Sequence, residues 1–139
     1  MPELKFDTGV VNYSVNDCCE IAFNPTDSAF VEKIFSAFDT LDKKQEAYRA
    51  EIERTADKRA VFDLARKMDQ EMREIINGVF GSDVCADLFR NMNVYALADG
   101  LPVWCNFMLA VMDEVDTTFA REQKRTNPRI SKYTAKYHK

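Results

Sequence analysis

The sequence predicts an α+β fold: a small N-terminal antiparallel β-meander followed by a mainly helical body with a long helical hairpin. Three observations predict it. The 52 residues between Pro25 and Gly78 contain no glycine or proline, and apolar residues recur there at helical spacing. Polar and apolar residues roughly alternate over residues 3–23, as they do in half-buried strands. A broad apolar face follows Pro102 with the period of a third long helix.

The meander is predicted to have three strands. The turns between them fall at Asp7-Thr8-Gly9 and at Asn16-Asp17, which are residue types that favour tight turns. The apolar positions of the three strands are, in order, Leu4 and Phe6; Val10 or Val11 with Tyr13 and Val15; and Cys19, Ile21 and Phe23. Cys18 and Cys19 would then face opposite sides of a strand. Because an isolated hairpin is marginally stable in water, we expect this sheet to pack on the helices.

The helical hairpin is predicted to begin after Asn24-Pro25-Thr26-Asp27, since Thr26 or Asp27 can cap a first helical turn. Two apolar stripes follow at steps of four and three residues. The first is Phe30, Ile34, Phe38, Leu41, Gln45, Tyr48 and Ile52, and the second is Val61, Ala65, Met68, Met72, Ile75 and Val79. The stripes are out of phase near Thr55–Arg59, which favours two antiparallel helices, with a single kinked helix as the alternative.

The hairpin region is also densely charged, with nine acidic and nine basic residues between Asp42 and Glu74. The simplest interpretation is a solvated face, because each intrahelical pair contributes only tenths of a kcal/mol. The alternative is a projecting arm that pairs with a second subunit or a client helix.

Glycine and proline divide the rest of the chain. Gly78 is expected to close the second helix in the left-handed conformation, and a short helix is predicted over about Val84–Asn91. Asp99-Gly100-Leu101-Pro102 breaks the chain again before the last helix, about Val103–Gln123, which we interpret as the core helix. Its apolar face holds Trp104, Phe107, Met108, Val111, Met112, Val115 and Phe119.

Charge divides the chain into a domain over residues 1–123 and a basic C-terminal tail over residues 124–139, for which a flexible, solvated terminus is the simplest interpretation. Residues 121–139 carry a net charge of +6 and the rest of the chain carries −10. An acidic body argues against nucleic-acid binding, except through the tail, where basic residues alternate with Tyr133 and Tyr137. We expect a cytoplasmic protein with free cysteines, since no signal peptide is visible and the four cysteines lack CxxC spacing. The most apolar run, Leu101–Val115, is too short and too polar for a membrane span.

The residues needed for most catalytic or metal chemistry are missing. The single histidine is His138, so a Ser–His or Cys–His pair is not expected, and no glycine-rich phosphate loop occurs. We therefore expect no cofactor, no metal and no enzyme activity. The alternative from the enzyme class is a carboxylate-dependent enzyme using Asp113 and Asp116, which lie one turn apart on the last helix.

Interaction with another protein is the leading functional interpretation. Methionines on the helices can line an adaptable groove, although such residues more often belong to the core. The candidate partner-binding residues are Tyr48, Ile52, Met68, Met72, Met108, Met112, Tyr133 and Tyr137.

The layout also resembles a known family. Phe23-Asn24-Pro25-Thr26-Asp27 leading into Phe30–Leu41, the charged arm Asp42–Arg73, and Ala98-Asp99-Gly100-Leu101-Pro102 continuing to Phe119 resemble the tail assembly chaperones of long-tailed phages and prophages of Firmicutes. The resemblance implies a non-catalytic protein that shields the tape measure protein until the tail tube polymerises. We also expect the chain to self-associate and to bind a protein partner, which is the tape measure protein or another helical client. A phage-encoded inhibitor or adaptor that binds a host protein is the alternative within the binding class.

Overall fold

The computed structural model describes residues 1–125 and 127–130, and its element order confirms the predicted α+β class. A β-hairpin comes first, followed by a mainly helical body with a minimal second hairpin before its last helix. The elements are β1 (Val11–Val15), β2 (Cys19–Phe23), α1 (Ser28–Arg54), α2 (Lys58–Phe80), α3 (Cys85–Leu88), β3 (Leu97–Ala98), β4 (Leu101–Pro102) and α4 (Val103–Lys124).

The N-terminal sheet has two strands, so the predicted three-stranded meander is wrong. β1 pairs antiparallel with β2, in a register that places Tyr13 opposite Ile21. Leu4 and Phe6 lie outside any strand and are 96% and 82% exposed. The alternation of polar and apolar residues predicted a strand at Leu4 and Phe6. A strand also needs a partner strand to form hydrogen bonds with, and a surface against which its apolar side chains are buried. Here the carbonyl oxygen of Thr8 instead accepts a hydrogen bond from the side chain of Asn24, at 2.8 Å.

The predicted helical hairpin is confirmed. Asp27 caps α1 by accepting a hydrogen bond from the Ala29 N–H, and Asp57 caps α2 in the same way. The two helices are antiparallel, since the rings of Phe30 and Phe80 lie 5.7 Å apart near one end and Lys44 pairs with Glu71 nearer the other. Both apolar stripes are buried or half-buried along their whole length.

The end of α2 differs from the prediction. The helix continues through Gly78 to Phe80, and Gly81 is the residue that closes it in the left-handed conformation, with φ 73°. A two-residue turn at Asp99-Gly100, with φ 54° and 79°, then joins β3 to β4. This is the dipeptide that a tight hairpin favours.

α4 is the central helix of the core, as predicted. Its side chains Trp104, Met108, Val111 and Val115 are at most 4% exposed. The Trp104 indole donates a hydrogen bond to the Gln45 side chain at 3.0 Å, which explains why a polar residue occupies the first stripe. No helix within the described residues is long and apolar enough to cross a membrane.

Candidate partner-binding surface

An open groove lies between the first turns of α1 and the last turns of α4. It has a volume of about 410 Å³ and an apolar floor made by Val31 and Phe35 from α1 and by Val115 and Phe119 from α4. The remaining lining residues are Thr26, Ser28, Asp116, Ala120 and Gln123. We refer to this feature as the α1–α4 groove.

Helix geometry explains why Val31, Phe35 and Phe119 stay in contact with water, while Val115 is buried. Val31 and Phe35 are four residues apart, and so are Val115 and Phe119, so each helix contributes two side chains on one face. Val31 comes directly after the core residue Phe30, and Phe35 comes directly after the core residue Ile34. One position along a helix is a rotation of about 100°, so Val31 and Phe35 face a different direction from these core residues. Phe35 is 44% exposed and Phe119 is 47% exposed.

A second, larger cleft continues the apolar surface toward the N-terminal segment. Its volume is about 960 Å³, and it shares Thr26, Phe119 and Gln123 with the α1–α4 groove. Val10 and Val11 line it from the segment entering β1 and are 54% and 41% exposed. Its other wall is charged, with Arg121, Glu122 and Arg125 from the end of α4. The two depressions together form one surface with an apolar centre and a polar edge.

A hydrogen-bond network fixes the β-hairpin on α4 beside this surface. The Tyr13 hydroxyl donates to Glu114 Oε1 at 3.1 Å, and the Thr118 hydroxyl donates to the same oxygen at 2.9 Å. Burial, followed by the hydrogen bond to Glu114, raises the pKa of Tyr13 above its ordinary value. Thr118 is itself buried, and it also lines the larger cleft. These hydrogen bonds connect β1 to the same stretch of α4 that lines the groove.

The candidate residues chosen from the sequence lie elsewhere. Met68, Met72 and Met108 are core residues, 8%, 0% and 0% exposed, so their side chains are not available to a partner in this fold. The structure supports the other interpretation, that these methionines belong to the core.

The other candidates are half-buried or lie outside the described residues. Tyr48 stacks on Tyr95 with ring centroids 4.1 Å apart, and Ile52 and Met112 are half-buried. Tyr133 and Tyr137 fall outside the described part of the chain. None of the six described candidates lines the α1–α4 groove.

The carboxylates proposed for an enzyme are not brought into an enclosed site. Asp113 and Asp116 are both exposed, and only Asp116 lines the groove, at its rim. Among residues 1–125 and 127–130 no group of three or more metal-ligating side chains is present.

The sequence-based search missed Phe35 and assigned Phe119 to the core. A signal was present, since Val31 and Phe35 form a second apolar pair beside the main stripe of α1. Comparison of the chain with protein-family models, curated proteins and solved structures found no match.

Proposed function

We propose that this protein is a non-catalytic binding module whose α1–α4 groove receives an amphipathic helix of a client protein. In its specific form, the proposal is that the client is the tape measure protein of a long-tailed phage, which the protein shields during tail assembly. The observation that supports the proposal is the open groove, whose apolar floor combines the exposed rings of Phe35 and Phe119 with half-buried Val31 and buried Val115.

The shape of the groove suits a helix better than a small molecule. Two helices supply paired ridges with four-residue spacing, and such ridges accept the side chains of a third helix at its own i and i+4 positions. The groove is open to solvent along α1 and α4, whereas a small-molecule site encloses most of its ligand.

The exposed rings of the groove supply part of the free energy of client binding. Full burial of a phenylalanine side chain stabilises by about 1.5–3 kcal/mol, so covering the half-exposed rings of Phe35 and Phe119 yields about 1 kcal/mol each. Val10 and Val11 add to this if the client extends into the larger cleft. Because association itself costs several kcal/mol, the remaining free energy has to come from the client's other contacts with the protein, and binding is expected to be weak and reversible.

Charge supports a solubilising role. Outside residues 121–139 the chain carries a net charge of −10, and a net charge far from zero keeps a protein soluble. A complex that covers an apolar client helix while presenting this acidic surface would resist aggregation.

Co-expression tests the proposal. The full chain is produced together with a fragment of the tape measure protein of a long-tailed phage, and the soluble fraction of the fragment is measured. We expect the wild-type chain to raise that fraction, and Phe35→Asp and Phe119→Asp to abolish the gain. Phe62→Asp is the matched control, because Phe62 is 62% exposed on α2 and does not line the groove. Equal solubility of the fragment with and without the chain would refute the proposal, as would full protection by both groove variants.

A further variant separates binding from carboxylate chemistry. The double substitution Asp113→Asn and Asp116→Asn keeps the size of both side chains while removing their charge. Asp113 does not line the groove, so a binding module should protect its client as well with Asp113→Asn alone as without it. Loss of protection on Asp113→Asn alone would point to the carboxylates rather than to the apolar floor.

A further inference from the structure

Two adjacent cysteines come together in the turn between β1 and β2. Strand alternation predicts that Cys18 and Cys19 face opposite sides, but the structure places their sulfur atoms 3.6 Å apart. The reason is that Cys18 belongs to the turn and not to β2. Asn16 and Asp17 both adopt left-handed φ angles, 50° and 56°, and the Cys18 N–H then donates to the Val15 carbonyl oxygen at 3.0 Å. The strand begins only at Cys19.

The pair is accessible and has weak local partners. Cys18 is exposed and Cys19 is half-buried, whereas Cys85 and Cys105 are buried, and all four are free thiols. The Cys18 thiol lies 3.3 Å from the Val15 carbonyl oxygen and 3.6 Å from that of Asp87. Thiols are weak hydrogen-bond donors, so neither contact strongly opposes a change of partner.

We propose that Cys18 and Cys19 form a bidentate dithiol site for trivalent arsenic, a soft and pyramidal metalloid centre. Soft thiolate ligands select soft ions. The S–As–S angle at As(III) is close to a right angle. The two sulfur atoms therefore have to lie only slightly closer together than the 3.6 Å that separates them here. A linear two-coordinate ion would instead force them apart. Tetrahedral zinc requires four ligands, and no group of three or more ligating side chains is present in the described residues.

The binding step is balanced without an oxidant. With phenylarsine oxide, each thiol gives up its proton and forms one As–S bond, and the arsenic-bound oxygen leaves with both protons as water. Arsenic remains trivalent and both sulfurs keep their oxidation state. The proposal does not depend on the α1–α4 groove or on the proposed function.

Intact-protein mass spectrometry of the folded chain with phenylarsine oxide tests the site. We expect one phenylarsenic adduct, formed with loss of one water and removed by excess 2,3-dimercaptopropanol. Cys18→Ser should weaken binding by about 100-fold or more, because the second As–S bond in the pair is intramolecular and gains from effective concentration. Cys19→Ser should do the same, and Cys105→Ala should leave binding unchanged.

The control for folding is the near-ultraviolet circular dichroism of each variant, which reports the packing of Trp104. Cys18 is exposed, so its replacement by serine should leave that spectrum unaltered. Absence of an adduct on the wild-type chain would overturn the proposal. Tight binding retained by a correctly folded Cys18→Ser variant would also overturn it, because a single thiol would then be enough.

Discussion

The ion pair between Arg73 and Asp69 on α2 is expected to contribute more to stability than any exposed pair in the described structure. The Arg73 Nε–H donates to Asp69 Oδ2 at 3.0 Å, and the two side chains are 13% and 18% exposed. The other carboxylate oxygen of Asp69 accepts a hydrogen bond from the Val94 N–H at 2.7 Å. The pair therefore connects α2 to the segment that leads into β3.

The Arg73 guanidinium also binds the backbone around α3. It donates to the carbonyl oxygens of Cys85, Arg90 and Met92, at 3.3, 2.8 and 2.7 Å. These bonds hold the connection between α2 and β3 in place, since α3 spans only one turn. Removing Arg73 leaves a nearly buried carboxylate without its cation and frees three carbonyl groups.

The expected cost of Arg73→Ala is about 3 kcal/mol. Breaking a buried ion pair by removing one partner costs about 3–5 kcal/mol. The lower end applies because Arg90 and Met92 are exposed and water can solvate their carbonyl oxygens. For a domain of this size such a loss lowers the melting temperature by about 10 °C.

Urea denaturation of the full chain, followed by circular dichroism, measures the loss. Arg66→Ala is the matched control, because Arg66 lies on the same helix and pairs with Asp63 while remaining 70% exposed. An exposed pair contributes about 0–1 kcal/mol, so this variant should resemble the wild type. If Arg73→Ala and Arg66→Ala cost the same, the reasoning about burial is wrong.

Three further predictions concern the helices and the core. Gly78→Ala should raise the melting temperature, because an added methyl group meets nothing within 4 Å and alanine favours a helix over glycine by about 0.5–1 kcal/mol. Gly81→Ala should lower the melting temperature, because the left-handed φ of 73° costs alanine about 1–2 kcal/mol. If both variants shifted the melting temperature in the same direction, the assignment of Gly81 as the left-handed cap of α2 would be wrong. Met72→Ala should cost about 2–5 kcal/mol in urea denaturation, because Met72 is fully buried, and half-buried Met112→Ala should cost clearly less. Burial raises the pKa of Cys85 from 9.0 to about 12, so the folded state holds a proton that the unfolded state releases. The stability that this thiol contributes is present below pH 9 and is lost as the pH rises toward 12, and Cys85→Ala should make the decline measured by urea denaturation less steep.

The helices could be predicted from sequence because their signals are local. The stripes from Phe30 to Ile52 and from Val61 to Val79 fix which faces are buried, and the change of phase at Thr55–Arg59 coincides with the connection between α1 and α2. Capping by Asp27 is likewise a short-range hydrogen bond. The same reasoning located α4 to within one residue at its end.

The predictions that were wrong have a common cause. Each of them depends on how a segment packs against the rest of the molecule, and local sequence does not show that. Alternation at Leu4 and Phe6 predicted a strand, but no surface covers those side chains. Gly78 has the residue type of a helix terminator, yet α2 continues because Val79 has a buried position to fill. The contact between Cys18 and Cys19 depends on the φ angles of the preceding turn, and residue types do not fix those angles.

The groove was harder to predict than the core because both use the same kind of residue. On α1, the row that contains Phe30 and Ile34 is covered by the rest of the fold, and the neighbouring row of Val31 and Phe35 is only partly covered. The sequence shows two apolar rows but does not reveal that α4 leaves one of them open. The open row has a consequence for design. The Phe35 side chain is 44% exposed, whereas Phe30 and Ile34 are at most 9% exposed, so replacing Phe35 removes less buried area than replacing either core residue. Substitutions on two sides of one helix should therefore affect client binding and folding to different degrees.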